Sequence, residues 1–194
     1  MKKRALGPCV TFFPQPTTMI TSIGLDGDVN IMTASWAGIV SKTPPTMAVS
    51  FNHNRLSYRN IRQTGEFVVN LVPTGLATEA DLCGIRIGRD LDKAQLCQLK
   101  LEAAEQVSPP LLKYSPLNVE CRVTQELDLG EYRLVLGEIL QIHAAEQAFA
   151  DHPNGDARCF DPLVYLGGIR EYWSLGEKVA DAYQAGKILL PGQA

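Results

Sequence analysis

Two tight turns limit what this chain can become. Leu25-Asp26-Gly27-Asp28 lies between strand-like runs at Thr17 to Ile23 and Val29 to Trp36, and Leu129-Gly130-Glu131 lies between Leu117 to Leu127 and Arg133 to Ile142. Each sets a glycine, free to take positive φ, beside acidic neighbours, so each reads as the turn of an antiparallel hairpin. Further strand-like runs, rich in β-branched and aromatic residues, cover Thr46 to Phe51, Glu66 to Val72 and Leu163 to Leu166. Helical segments are few and short. Ser57 can cap a helix that runs to Thr64 and stops at Gly65; a second starts at Thr74 or Thr78 and ends by Gly84; Leu91 to Leu99 and Leu175 to Ala185 suit two more. Strands without strand-helix-strand alternation predict a mainly β fold with short helices, a small β-barrel rather than a doubly wound parallel sheet. No repeat, linker or low-complexity stretch divides the chain, so residues 1–194 read as a single domain.

Composition narrows the partners. At 194 residues with 45% hydrophobic content, a domain buries roughly 70% of its unfolded surface and needs no covalent or metal staple. The 18 basic and 21 acidic residues leave no broad positive field, so neither nucleic acid nor an anionic membrane is the expected partner. No apolar run approaches the ~18 residues of a membrane span. Met1-Lys2-Lys3-Arg4 is followed by prolines at 8, 14 and 16 rather than an apolar segment, so no secretory signal is expected. The five cysteines (Cys9, Cys83, Cys97, Cys121, Cys159) include no C-x-x-C pair, which favours reduced thiols and a cytoplasmic location. His53, His143 and His152 are scattered, with no H-E-x-x-H spacing, so no metal is expected. Gly84-Ile85-Arg86-Ile87-Gly88 fits neither the dinucleotide fingerprint nor the P-loop, and no G-x-S-x-G elbow occurs. Any nucleotide-like ligand must be held another way.

One stretch offers that other way. Residues 30–61, NIMTASWAGIVSKTPPTMAVSFNHNRLSYRNI, place small polar side chains in an apolar run and end on arginines and a tyrosine. An anionic phosphate wants a cationic fork, hydroxyl donors and the unpaired N–H groups at the start of a helix. Arg55, Ser57 and Tyr58 supply these; equally, Ser57 caps the helix and the arginines are solvated. Upstream, Thr33, Ala34, Ser35 and Trp36 are small enough, Trp36 aside, to let a flat ring approach the main chain, with Ser50 and Asn52 extending the polar edge. An ordinary strand with Trp36 in the core is the alternative.

The chain resembles the flavin reductase-like, FMN-binding split-barrel family, and within it the flavoredoxin branch. The resemblance is carried nearly end to end by Pro14, Asp26-Gly27, Asn30, Thr33-Ala34-Ser35-Trp36, Pro44-Pro45, Ser50, Tyr58, Asn60-Ile61, Thr64-Gly65-Glu66-Phe67-Val68-Val69-Asn70, Asp161-Pro162-Leu163-Val164-Tyr165-Leu166-Gly167-Gly168 and Tyr172-Trp173. It implies a six-stranded split barrel of Greek-key character, a homodimer, and FMN held non-covalently near the subunit interface. Thr33, Ala34, Ser35, Trp36, Ser50 and Asn52 would line the isoalloxazine ring, and Arg55, Ser57 and Tyr58 the phosphate. Trp36 departs from the Phe of many relatives. Lys93 lies in another shared stretch and either sets a positive charge near the flavin or is a solvated helix lysine.

The implied activity is oxidoreduction with NAD(P)H as co-substrate, by hydride transfer to flavin N5 and onward transfer to a small acceptor. No side chain need act as acid or base, so no catalytic residue is named. The alternatives are a flavoredoxin-like electron carrier reduced by a protein partner, and a flavin-binding module without turnover.

Overall fold

The computed structural model describes residues 1–86, 88 and 91–189. Its first half holds β1 (Gln15–Pro16), β2 (Thr18–Ile23), β3 (Val29–Ala34), β4 (Ala37–Lys42), β5 (Pro45–Asn52), α1 (Leu56–Thr64), β6 (Glu66–Leu71) and α2 (Ala77–Ile85). Its second half holds α3 (Lys93–Leu96), β7 (Leu101–Glu102), β8 (Leu111–Leu112), β9 (Leu117–Leu129), β10 (Tyr132–Ala144), α4 (Ala157–Phe160), β11 (Val164–Leu166) and β12 (Glu171–Trp173).

Both expected hairpins form. β2 pairs antiparallel with β3 from Thr18 opposite Ala34 to Ile23 opposite Val29, around Gly27 at φ +88°. β9 pairs with β10 around Gly130 at φ +80°. Seven strands make one antiparallel sheet in the order β3-β2-β6-β9-β10-β5-β4. Its two edges, β3 and β4, are not paired to each other, so the sheet curls into a split barrel without closing. The wrapped interior holds Phe51 and Phe67, edge to face at 6.3 Å, with Ile20, Val49, Val69, Val119 and Val135. Each such side chain contributes about 1.5–3 kcal/mol by burial.

β2, β3 and β6 are covered on both faces. Ile20 and Val69 enter the barrel, whereas Met19 and Ile31 face out against Val72, Ala80, Cys83, Leu112 and Leu163 under α2. That double burial is why these strands read as continuous apolar runs rather than as alternation. β1, β11 and β12 form a separate three-stranded sheet, with Gln15 opposite Tyr165 and Tyr165 opposite Tyr172.

Several expectations change. β3 ends at Ala34, and the chain re-enters the sheet as β4, making seven paired strands rather than six. Only Ala37 and Ser41 of β4 are partly covered, so it lacks the apolar rhythm that would announce it. α1 begins at Leu56 with Arg55 as its cap residue, and no side chain caps it; Ser57 lies inside the helix. Its other end falls as expected, with Gly65 at φ +73° donating its N–H to the Ile61 carbonyl at 2.8 Å. The third expected helix shrinks to Lys93–Leu96. Residues 175–184 are not helical, and only a short 3-10 turn begins at Ala185: Val179 and Tyr183 are almost fully exposed, and a segment of that length without packing cannot hold a helix alone.

Candidate functional site

Where β3 leaves the sheet, a cleft of about 410 Å³ opens between the barrel, α2 and the small sheet. Its floor is Thr33, Ala34, Ser35 and Trp36 with Ser50 and Asn52 of β5. The floor is fixed from both sides. The Ser50 N–H donates to the Trp36 carbonyl at 2.9 Å, and the Thr33 hydroxyl donates to the Ala80 carbonyl, tying β3 to α2. Trp36 is not in the core: it is 37% exposed and leans on Tyr132, with ring centroids 5.1 Å apart.

One end of the cleft is Arg55 against Gly84 and Ile85. The guanidinium donates to the carbonyls of Gly84 at 2.8 Å and Arg86 at 3.4 Å, at the C-terminal end of α2. An arginine has five N–H donors, so the fork keeps hydrogen-bonding capacity beside those contacts.

The structure does not bring Ser57, Tyr58 or Lys93 into this cleft. Ser57 is fully buried, and its hydroxyl accepts from the Asn30 amide at 2.6 Å. Tyr58 turns toward the barrel, where its hydroxyl donates to Glu126 at 2.6 Å; burial, then the Glu126 carboxylate, pushes its pKa up. Lys93 is 4% exposed rather than solvated. Its ammonium donates to the Cys83 and Arg86 carbonyls at 3.3 Å each, and burial pulls its pKa down, with Arg55 adding to that. It lines a second, more polar cavity of about 630 Å³ with Asp26, Asp28 and Asp92. Lys93 and Arg55 thus both donate to carbonyls at the C-terminal end of α2 and share the Arg86 carbonyl.

The roof comes from residues to which the sequence reading gave no role. Tyr165 and Tyr172 lie 5.6 Å apart between centroids, and the Tyr172 hydroxyl donates to Asp81 of α2 at 3.3 Å. Burial, then the Asp81 charge, pushes Tyr172 up to about 12. Arg170, in the β11–β12 turn, completes the rim. The tyrosines were among the markers of family resemblance; nothing local in the sequence ties them to a cleft whose floor lies some 130 residues earlier.

The arrangement suits a flat, polar-edged ring with an anionic tail: small side chains and main chain below, aromatic faces at both sides, a guanidinium at one end. Comparison with known proteins agrees. Residues 10–174 match the family described as flavin reductase like domain. The flavoredoxin of Desulfovibrio vulgaris (Miyazaki F) superposes with a TM-score of 0.90 at 30% identity, covering 96% of this chain and all of that one. Flavoredoxin from Methanosarcina acetivorans gives 0.89 at 27%, covering 98% of this chain and all of that one. A flavin reductase (NADH) of Kitasatospora aureofaciens is 27% identical over 128 residues, which are 66% of this chain and 64% of its own. The chain belongs to the flavin reductase-like family, in its flavoredoxin branch, and its chemistry is flavin-based oxidation and reduction.

Proposed function

We propose that the cleft binds FMN non-covalently, with the isoalloxazine over Thr33–Trp36, Ser50 and Asn52 and the phosphate toward Arg55, and that the protein is an NAD(P)H-dependent oxidoreductase of the flavin reductase type. The observation that carries this is the meeting of a small-residue floor and a guanidinium in one cleft. A flavin bound there would supply the redox chemistry, hydride and electron transfer between NAD(P)H and an acceptor. The chain's own residues bind and orient. The Trp36 and Ser50 main chain sets the floor, Thr33 fixes the α2 wall, and Arg55 supplies a charge-assisted fork for a phosphate. Neither Ser57 nor Tyr58 adds to that grip while their hydroxyls keep the partners described, so Arg55, the cap residue of α1, carries it.

A second reading, an electron carrier reduced by a protein partner, is favoured by the likeness to two flavoredoxins. Stopped-flow mixing of the flavin-loaded protein with NADH and NADPH decides between them. Rapid bleaching of the flavin absorbance supports the reductase; no bleaching at millimolar nicotinamide, with full bleaching by dithionite, supports the carrier. The reading includes a homodimer working in the cytoplasm.

A further inference from the structure

We propose that Arg170 is a specificity residue for the second substrate: its guanidinium grips the diphosphate of an incoming nicotinamide dinucleotide and so delivers the nicotinamide to the flavin. The inference rests on the flavin reading above and adds a residue and a ligand group to it.

Arg170 sits at φ +66°, in the left-handed region that suits glycine and strains a side-chain-bearing residue. The turn around it already uses glycine where the chain demands it. Gly168 is at φ +89°, and a Cβ on Gly167 would come within 2.7 Å of Gln15 Oε1 and 3.0 Å of the Phe12 carbonyl. The N–H groups of Ile169 and Arg170 both donate to the Leu166 carbonyl, at 3.2 and 2.9 Å, so the turn is tightly closed. An arginine in the one left-handed cleft-lining position of that turn points to work done by its side chain.

Arg122, Arg133 and Arg158 each pair with a carboxylate, and of the arginines without an ion pair among the described residues only Arg55 and Arg170 line the cleft. Among the described residues, Arg170 has neither an ion pair nor a side-chain hydrogen bond, although it is exposed on the rim. The other cation of the cleft, Arg55, is on a different element and is bonded to the end of α2. A flavin mononucleotide brings one phosphate, which Arg55 serves; a second, unpaired fork matches a second anion. The planar guanidinium fits the oxygens of a diphosphate, and Tyr165 and Tyr172 beside it offer faces for a flat ring.

The test uses the full-length, FMN-loaded protein and two hydride donors: NADH, and the uncharged 1-benzyl-1,4-dihydronicotinamide, which lacks a diphosphate. Arg170→Ala is expected to lower the ratio of kcat/KM for NADH to that for the benzyl compound about tenfold, through KM, as the loss of a charge-assisted contact would. Arg170→Lys should restore part of the ratio. Arg170→Gly should lose the ratio like Ala while keeping or raising Tm, because glycine relieves the left-handed strain. An unchanged ratio overturns the proposal and leaves the reductase reading intact. A fall in FMN affinity without a change in ratio also overturns it, placing Arg170 on the flavin phosphate. If the wild type is bleached by dithionite but by neither hydride donor, the reductase reading fails and takes this proposal with it.

Discussion

The guanidinium of Arg55 lies between two demands, the carbonyls ending α2 and the proposed phosphate. Arg55→Ala should therefore weaken FMN binding by about 1.5–3 kcal/mol, one to two decades in Kd, and also lower apoprotein stability by about 1 kcal/mol. Titration calorimetry and thermal unfolding of the same variant read the two effects. Arg62 is the control: it lies over the Tyr58 ring at 5.9 Å, outside the cleft, and Arg62→Ala should leave FMN affinity within twofold. Equal losses from both variants would mean a diffuse positive field rather than a fork. The floor was legible in the sequence because residues 33–36 are consecutive and, Trp36 aside, small. Ser57 and Tyr58 were not, because which face of a helix packs is decided by distant partners. Ser57, Tyr58, Asn60 and Ile61 form the buried face of α1, and Asn30 and Glu126 take the two hydroxyls.

At the level of elements, β9 holds a fully buried carboxylate, Glu120, that organises the segment before β8. It accepts from the N–H groups of Glu105, Gln106 and Val107 at 3.0, 2.6 and 3.0 Å, and from the His143 ring on β10. Burial alone would raise its pKa, but the Glu105 and Gln106 donors and His143 outweigh it and hold it below the usual carboxylate range. A depressed acid stabilises the fold fully above its unfolded pKa and loses that contribution as pH falls through the folded one. The acid limb of stability below about pH 4.5 should accordingly flatten in Glu120→Gln, which should also cost about 2 kcal/mol at pH 7; an unchanged limb in urea titrations would contradict it. Gly137, at a register shift of β10 beside Leu136, is fitted against Phe67, whose ring would lie 2.7 Å from an added Cβ. Gly137→Ala should lower stability by about 1–3 kcal/mol through overpacking, with little effect on flavin affinity. Strands bounded by glycine turns and buried on one or both faces could be read in advance. β4 could not, since an edge strand with four exposed residues out of six carries no burial pattern.

The whole molecule leaves apolar surface uncovered. On edge strand β4, Ile39 and Val40 are 61% and 57% exposed, and beyond β12 Val179 and Tyr183 are 98% and 96% exposed. An unpaired sheet edge with apolar neighbours is a place for a second chain, so light scattering at micromolar concentration should give a dimer mass, and Ile39→Lys should shift it toward monomer. A wild-type monomer that still holds flavin would contradict the dimer. The roof of the cleft belongs to this scale too. Tyr165, Arg170 and Tyr172 reach it from the small sheet and its β11–β12 turn, and Tyr132 from the start of β10, a placement set by the global topology and invisible in any local stretch. The central claim, that this cleft is an FMN site gripped at its phosphate by Arg55, is tested most directly by titrating the apoprotein with FMN and with riboflavin. FMN should bind at least about tenfold more tightly, and Arg55→Ala should close most of that gap; equal affinity of the wild type for both flavins would contradict the account.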